Sequence, residues 1–384
     1  MHVLLVEPKY YTRYPPIGLL KLATFHRSKN DSVELIRGCK IPKHKPDQIY
    51  VTSLYTWAWK PVWKTIRYYR RLYPDIKISL GGIYAALMPE HAKSSGADYV
   101  YTEVFKAAED LMPAYDLVPQ WDGSIIQTSR GCNRKCQYCA VWRIEGKISS
   151  LKRTIKCLIY PVHTRIILWD NNILQSPYWR DIFDELEWLS QTKGMKIDFN
   201  QGIDARLITP EVAEKISRMK TTCVRVSYDH KNLRSHLEKT VITLSSFGIR
   251  KRHICVYILF NFLDTPSDLF ERVKDVLDLG AVAVPLRYQP LDTLQYNQHV
   301  GPKWDKERLN MFARFRRICG FGGVFPPYKW LLERFNDSKS FDEAFSPPPR
   351  NNALKKRAHK DFFNSWRRVQ DWSSVSEQFL AKKW

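Results

Sequence analysis

Apolar and polar positions in the first hundred residues alternate between two periods. Residues 2–8 (HVLLVEP), 32–38 (SVELIRG), 48–54 (QIYVTSL), 77–82 (KISLGG) and 97–103 (ADYVYTE) are short apolar runs that predict strands. Between them, residues 15–28 (PPIGLLKLATFHRS), 59–74 (WKPVWKTIRYYRRLYP) and 89–96 (PEHAKSSG) carry helical spacing. Strands alternating with helices predict a parallel sheet covered on both faces, an α/β Rossmann-like domain over residues 1–105. Gly81 and Gly82 follow a strand, where a backbone can approach a ligand closely. Residues 106–122, with two prolines and no clear strand, read as a linker.

A second alternating series fills residues 123–299. Six strand candidates (124–130, 165–170, 196–200, 223–229, 254–262 and 281–290) are interleaved with helical segments such as 178–191, 210–219 and 266–280. Six βα units in this length predict a partial (β/α)6 barrel, whose ligands bind at the carboxyl ends of the strands. Polar residues end these strands repeatedly: Asp170, Asn171 and Asn172, then Gln201, Asp204 and Arg206, then Ser227 and Asp229, then Asn261. That is the requirement of a barrel-mouth site, although any one of them also suits a helix cap or a turn. Asp264, Thr265 and Pro266 read as a helix start and are set apart from the site.

Residues 300–384 change character and predict a basic, mostly helical region. From residue 301 on there are 18 Lys and Arg against 9 Asp and Glu, with Trp304, Trp330, Trp366, Trp372 and Trp384 among them. The whole chain of 384 residues carries 61 basic and 39 acidic side chains, a net charge of +22. Such a field favours polyanion partners. Apolar residues make up 44% of the chain, yet no run approaches the roughly 18 that a membrane span needs. The first residues lack a basic leader and a cleavage site, so the expected setting is cytoplasmic.

Eight cysteines are too few for a disulfide scaffold, and three of them fall within eight residues: Cys132, Cys136 and Cys139. Thiolates are soft ligands that suit iron–sulfur clusters and zinc. Arg130, Arg134 and Lys135 stand among them, and such cations lower thiol pKa values and balance the charge of a thiolate-bound cluster. No fourth His or Cys is near, the next being Cys157, so one coordination position is left open.

Cys-x3-Cys-x2-Cys with an aromatic, here Tyr138, before the last cysteine resembles the signature of the radical S-adenosylmethionine (SAM) superfamily. The resemblance covers residues 123–292. It implies a 4Fe–4S cluster held by Cys132, Cys136 and Cys139, with SAM chelating the fourth iron. An external one-electron reductant then drives cleavage to methionine and a 5′-deoxyadenosyl radical, which abstracts hydrogen from a substrate. It further implies SAM contacts from Tyr138, from Asp170, Asn171 and Asn172, and from the strand-end residues Gln201, Asp204, Arg206, Ser227, Asp229 and Asn261.

An α/β domain ahead of such a barrel resembles the branch with an amino-terminal cobalamin-binding domain, on Pro15-Pro16-Ile17-Gly18-Leu19, Ser53-Leu54 and Gly81-Gly82. The Asp-x-His-x-x-Gly motif is missing, and residues 38–48 stand where a helix would be expected. Two outcomes stay open: cobalamin held without a histidine, or a domain that kept the fold and lost the cofactor. The substrate classes also stay open. A small molecule or peptide, with or without methyl transfer, is one; RNA or another nucleic acid, favoured by the charge, is another. A reading from a different class is a non-catalytic metal-binding adaptor for nucleic acid.

Overall fold

The computed structural model describes residues 1–149, 151–320 and 323–348. The chain divides into two compact units, Met1–Ile166 with Gln289–Gln298, and Ile167–Tyr288 with His299 onward.

In the first unit, β1 (His2–Glu7), α1 (Ile17–Arg27), β2 (Ser32–Arg37), β3 (Gln48–Ser53), α2 (Trp59–Leu72) and β4 (Lys77–Gly82) follow one another as the periodicity predicts. Two short helices, α3 (Ile83–Leu87) and α4 (Pro89–Lys93), then lead to a two-residue β5 (Tyr99–Val100). Helix α3 escaped the sequence reading because its five residues hold little more than one turn. The strands form a parallel sheet in the order β2-β1-β3-β4-β5.

Alternation along β1 explains the layers. Leu4 and Val6 join Ile49, Val51, Ile78 and Leu80 against Val62, Ile66 and Tyr69 of α2. Val3 and Leu5 point the other way, to Leu19 and Ala23 of α1. Each fully buried aliphatic side chain contributes about 1.5–3 kcal/mol. Residues 106–122, which read as a linker, carry α5 (Lys106–Glu109) and the buried Ala114 and Tyr115. Ala114 packs with Val3 and Leu5, and the Tyr115 hydroxyl accepts the Ile125 N–H at 2.7 Å.

Strand β6 (Gly123–Ile126), helix α6 (Val141–Ile144) and the start of β7 (Arg165–Leu168) complete this unit; β7 crosses into the second. There follow α7 (Trp179–Thr192), β8 (Lys196–Phe199), α8 (Pro210–Ser217), β9 (Val224–Ser227), α9 (Arg234–Ser246), β10 (Ile254–Phe260), α10 (Pro266–Asp278) and β11 (Val282–Arg287). All six predicted barrel strands form. They pair in the orders β6-β7-β8 and β9-β10-β11, and parallel bridges Ile197↔Thr221 and Ile203↔Val226 join the second unit's strands across β8 and β9.

Thr265 caps α10 in a capping box with Asp268, with Pro266 in the first turn, so this segment is the helix start that the sequence predicts. Helices α11 (Lys306–Cys319), α12 (Lys329–Asp337) and α13 (Phe341–Phe345) follow. They enclose an aromatic core of Phe312, Phe315, Phe335, Phe341 and Phe345, which Trp304 joins through Phe260 and Phe341. Trp366, Trp372 and Trp384 lie outside the described residues. Among the described residues, no helix is long and apolar enough to cross a membrane.

Gly82 sits at φ +102°, and a Cβ there would fall 2.0 Å from the Ser53 carbonyl oxygen. Its close approach serves the β3–β4 strand ends. Gly82→Ala is expected to lower stability by about 2 kcal/mol or more in denaturant titration. Gly81→Ala, whose Cβ would meet Tyr101 at an ordinary 3.7 Å, should cost less than about 1 kcal/mol.

Candidate iron–sulfur and S-adenosylmethionine site

The three cysteines lie on a loop in the first unit that begins four residues after β6. Arg130 and Ser149 close its base with reciprocal backbone hydrogen bonds of 2.9 Å each. Gly131 then turns the chain at φ +75°, where a Cβ would stand 2.3 Å from the Lys147 carbonyl oxygen. Only glycine allows the two sides of the loop to approach this closely. The Cys132 N–H donates to the Gly146 carbonyl at 3.1 Å, and the Ile148 N–H to the Asn133 side chain at 3.2 Å.

Within the loop, the Cys136 carbonyl accepts both the Cys139 N–H at 3.0 Å and the Trp142 indole N–H at 2.8 Å. That turn folds Cys139 back beside Cys136. Cys132, Cys136, Tyr138 and Cys139 are half-buried while Asn133, Lys135 and Gln137 are exposed. The Arg134 N–H donates to the Cys132 sulfur at 3.4 Å, a contact that stabilises a thiolate. None of the eight cysteines forms a disulfide.

A charged network fixes the base. The Arg130 guanidinium grips Glu109 with two bonds of 2.7 and 2.9 Å and reaches Glu145 at 2.9 Å. The second Glu145 oxygen accepts the Gly131 N–H at 2.8 Å, so one carboxylate ties the arginine to the turn. Lys21 of α1 adds a contact to Glu109 at 3.4 Å. Burial alone would raise the Glu109 pKa, but the paired Arg130 outweighs it and holds the carboxyl below its ordinary 4.5. Sequence reading missed Glu109, in a segment taken as a linker, and Glu145, beyond the cysteines, because an isolated acid gives no signal until its arginine partner is known.

The fit to a 4Fe–4S cluster rests on these features: three thiol groups on one compact loop, a backbone N–H aimed at one sulfur, and Arg134 and Lys135 between them. Among the described residues, no three His, Cys, Asp or Glu side chains converge to hold a metal ion. A cluster asks for a different arrangement, since each thiolate binds its own iron.

The strand-end residues belong to the second unit. Asp170 and Asn172, after β7, are buried, with Asn171 half-buried beside them. Asn172 donates to Asp204 at 3.2 Å, and Asp204 binds the Arg206 guanidinium at 2.7 and 3.0 Å. The structure thus brings together Asn172, Asp204 and Arg206 from the ends of two strands. Gln201 is exposed and donates to the Asn200 side chain at 3.4 Å; Ser227 is exposed at the end of β9.

Asp229 and Asn261 have backbone duties. Asp229 accepts the Leu259 N–H at 3.0 Å. Asn261, fully buried at φ +65°, accepts the Gly301 N–H at 2.8 Å and donates to the His299 carbonyl at 3.1 Å.

A buried pair inside the barrel was also missed. Phe199 packs on Phe183 of α7, which turns Asp198 to the opposite, interior face of β8, where it pairs with Arg225 of β9. Arg225 is 1% exposed. In the sequence, an arginine in VRVS and an aspartate in KIDF look like outward positions of half-exposed strands.

Because the folded-state pKa of Glu109 is depressed, its contribution is complete above the ordinary 4.5 and disappears as pH falls through the lower folded value. We expect the Gly131 and Cys132 amides to exchange faster below about pH 4.5, after correction for the intrinsic pH dependence of exchange. Glu109→Gln should show that faster exchange already at neutral pH in hydrogen–deuterium exchange.

Neither a family model nor a curated protein sequence matches this chain. Among solved structures, the chain is similar to TsrM from Kitasatospora setae, a radical S-adenosylmethionine methyltransferase seen with its tryptophan substrate and the SAM analogue aza-SAM. The TM-score is 0.57 at 15% identity, over 75% of this chain and 72% of that one. A weaker likeness is to coproporphyrinogen III oxidase (HemN) from Escherichia coli, a radical SAM enzyme, with a TM-score of 0.36 at 12% identity over 55% and 57% of the two chains. The first of these likenesses shows that the chain shares the fold of that enzyme.

Proposed function

We propose that this protein is a radical SAM enzyme in which Cys132, Cys136 and Cys139 hold a 4Fe–4S cluster. The observation that carries the reading is the compact loop after the first barrel strand, with three thiols and no fourth, in a chain of matching fold. When bound, such a cluster supplies the electron that cleaves SAM to methionine and a 5′-deoxyadenosyl radical.

The chain's own residues do the holding and orienting. Arg130, Glu109 and Glu145 keep the loop base in one geometry, so the thiols are placed before any cluster arrives. Asn172, Asp204 and Arg206 form a polar, charged group at the ends of β7 and β8, suited to the amino and carboxylate groups of an amino acid. Asp170 and Asn171 belong to the same strand end. Gln201 and Ser227, both exposed, are available to a ribose or a substrate, and Tyr138 lies between two of the cysteines. We assign Asp229 and Asn261 to positioning the loops that border the barrel mouth. The expected setting is cytoplasmic, with an external one-electron reductant.

Cobalamin-dependent methyl transfer is a second reading, favoured by the sheet order β2-β1-β3-β4-β5, whose ligand crevice opens between β1 and β3. The residues present do not fit a histidine-ligated corrinoid. His26 lies in the last turn of α1, beside Asp31 just ahead of β2 and so away from the carboxyl strand ends. It is buried with one ring nitrogen at 2.8 Å from Asp31 and the other at 3.3 Å from the Tyr50 hydroxyl. The Ser53 hydroxyl is spent on the Gly81 carbonyl at 2.7 Å. Corrinoid bands in the purified protein would favour the reading; S-adenosylhomocysteine formed beside 5′-deoxyadenosine would mark methyl transfer.

Anaerobic reconstitution tests the main proposal. We expect about four iron and four sulfide per chain, and 5′-deoxyadenosine when SAM and dithionite are added. Cys136→Ala should lose both while keeping the wild-type circular dichroism. Bound zinc, with no visible iron–sulfur absorption and no SAM cleavage, would instead identify a non-catalytic metal-binding adaptor.

A further inference from the structure

Helix α2 is the most one-sided surface element among the described residues. Its inward face, Val62, Ile66 and Tyr69, is fully buried in the first unit's core. Its outward face carries Lys60, Lys64, Arg67 and Arg71, all exposed, at spacings of four, three and four residues. That spacing puts the four cations in one row about 16 Å long, at 1.5 Å rise per residue. None of the four makes an ion pair among the described residues, and the helix contains no acidic residue. Arg70, by contrast, is held by Asp98 at 2.5 Å.

Three aromatic side chains flank the row. Trp59, Trp63 and Tyr68 are half-buried and line, with the four cations and Cys39, a cavity of about 420 Å³. Lys60 lies 5.7 Å from the centre of the Trp59 ring, and Arg67 5.1 Å from that of Trp63. Each indole therefore has a cation beside it. Trp59, Trp63 and His91 pack on one another at 4.8–5.1 Å, and Tyr84 accepts the Trp63 N–H at 3.0 Å, so the platform is rigid.

The loop over residues 39–45 adds exposed Lys40, Lys43 and Lys45. It is fastened to α2 by the Tyr69 hydroxyl, which donates to the Lys40 carbonyl at 2.8 Å. Among the described residues, its acidic contact is Glu34, which accepts the Lys43 N–H at 2.9 Å. Of the carboxyl-terminal tryptophans, Trp304 is buried in the aromatic core, and Trp330 is half-buried beside Tyr328 with Arg334 5.6 Å from its ring centre.

We propose that the exposed face of α2, with the adjoining loop over residues 39–45, docks single-stranded nucleic acid. Phosphates follow Lys60, Lys64, Arg67 and Arg71, and bases turn toward Trp59, Trp63 and Tyr68. Cations interleaved with aromatics suit a strand whose base faces are free to stack. An anionic membrane is a poorer fit, because the helix has spent its apolar face on the core and has none left to insert. The inference goes beyond the radical SAM reading and can be tested on protein with neither cluster nor SAM, so the two can fail separately.

The test is fluorescence anisotropy of a labelled single-stranded RNA dodecamer titrated with the full chain between about 50 and 200 mM salt. Four phosphate contacts predict that log Kd rises with log salt at a slope of about 3. Lys64→Ala with Arg67→Ala should weaken binding at least tenfold at the lower salt and cut the slope by about 1.4. Arg314→Ala with Arg317→Ala removes equal charge from exposed positions of α11 and should change affinity less than twofold. Circular dichroism verifies that both variants are folded. Equal loss from the two double variants would mean bulk charge, not this face, and would overturn the proposal. So would wild-type binding by the α2 variant, or binding to phosphatidylserine vesicles with none to the RNA.

Discussion

The geometry of the cysteine loop depends on one guanidinium held between two carboxylates. Arg130 joins Glu109, which is anchored in the first unit's packing, to Glu145, which also holds the Gly131 turn. Such a bidentate, largely buried pair is directional as well as attractive, so it sets an orientation and not merely a proximity. Removing one member would leave charge buried without its partner, which costs more than the intact pair contributes. The thiols can therefore be placed with few residues of regular structure around them: α6 spans only four residues.

The second unit supplies polar groups by another route. Its strands are apolar and short, and several side chains at their carboxyl ends bind one another or hold the next backbone segment. Asn172, Asp204 and Arg206 do the first. Asp229 and Asn261 do the second. Inside the barrel, Asp198 and Arg225 neutralise each other where neither charge would be tolerated alone.

The strands were legible in the sequence because each is a short apolar run between turn residues, and all eleven fall where the periodicity puts them. The cysteine motif was legible because ligand spacing is local. What escaped was non-local or very short. Glu109 acquires meaning only through Arg130, twenty-one residues on. Arg225 and Asp198 become a pair only when two strands lie side by side. Helix α3 is one turn. Conversely, Asn261 resembles a ligand in sequence yet holds the backbone at Gly301, since an asparagine at a strand end satisfies either demand.

If three thiolates hold a cluster with one iron open to SAM, electron paramagnetic resonance of the reconstituted, dithionite-reduced protein should show an S = 1/2 iron–sulfur signal whose g-values shift when SAM is added. A signal that SAM leaves unchanged, in a protein with full iron content, would contradict that arrangement.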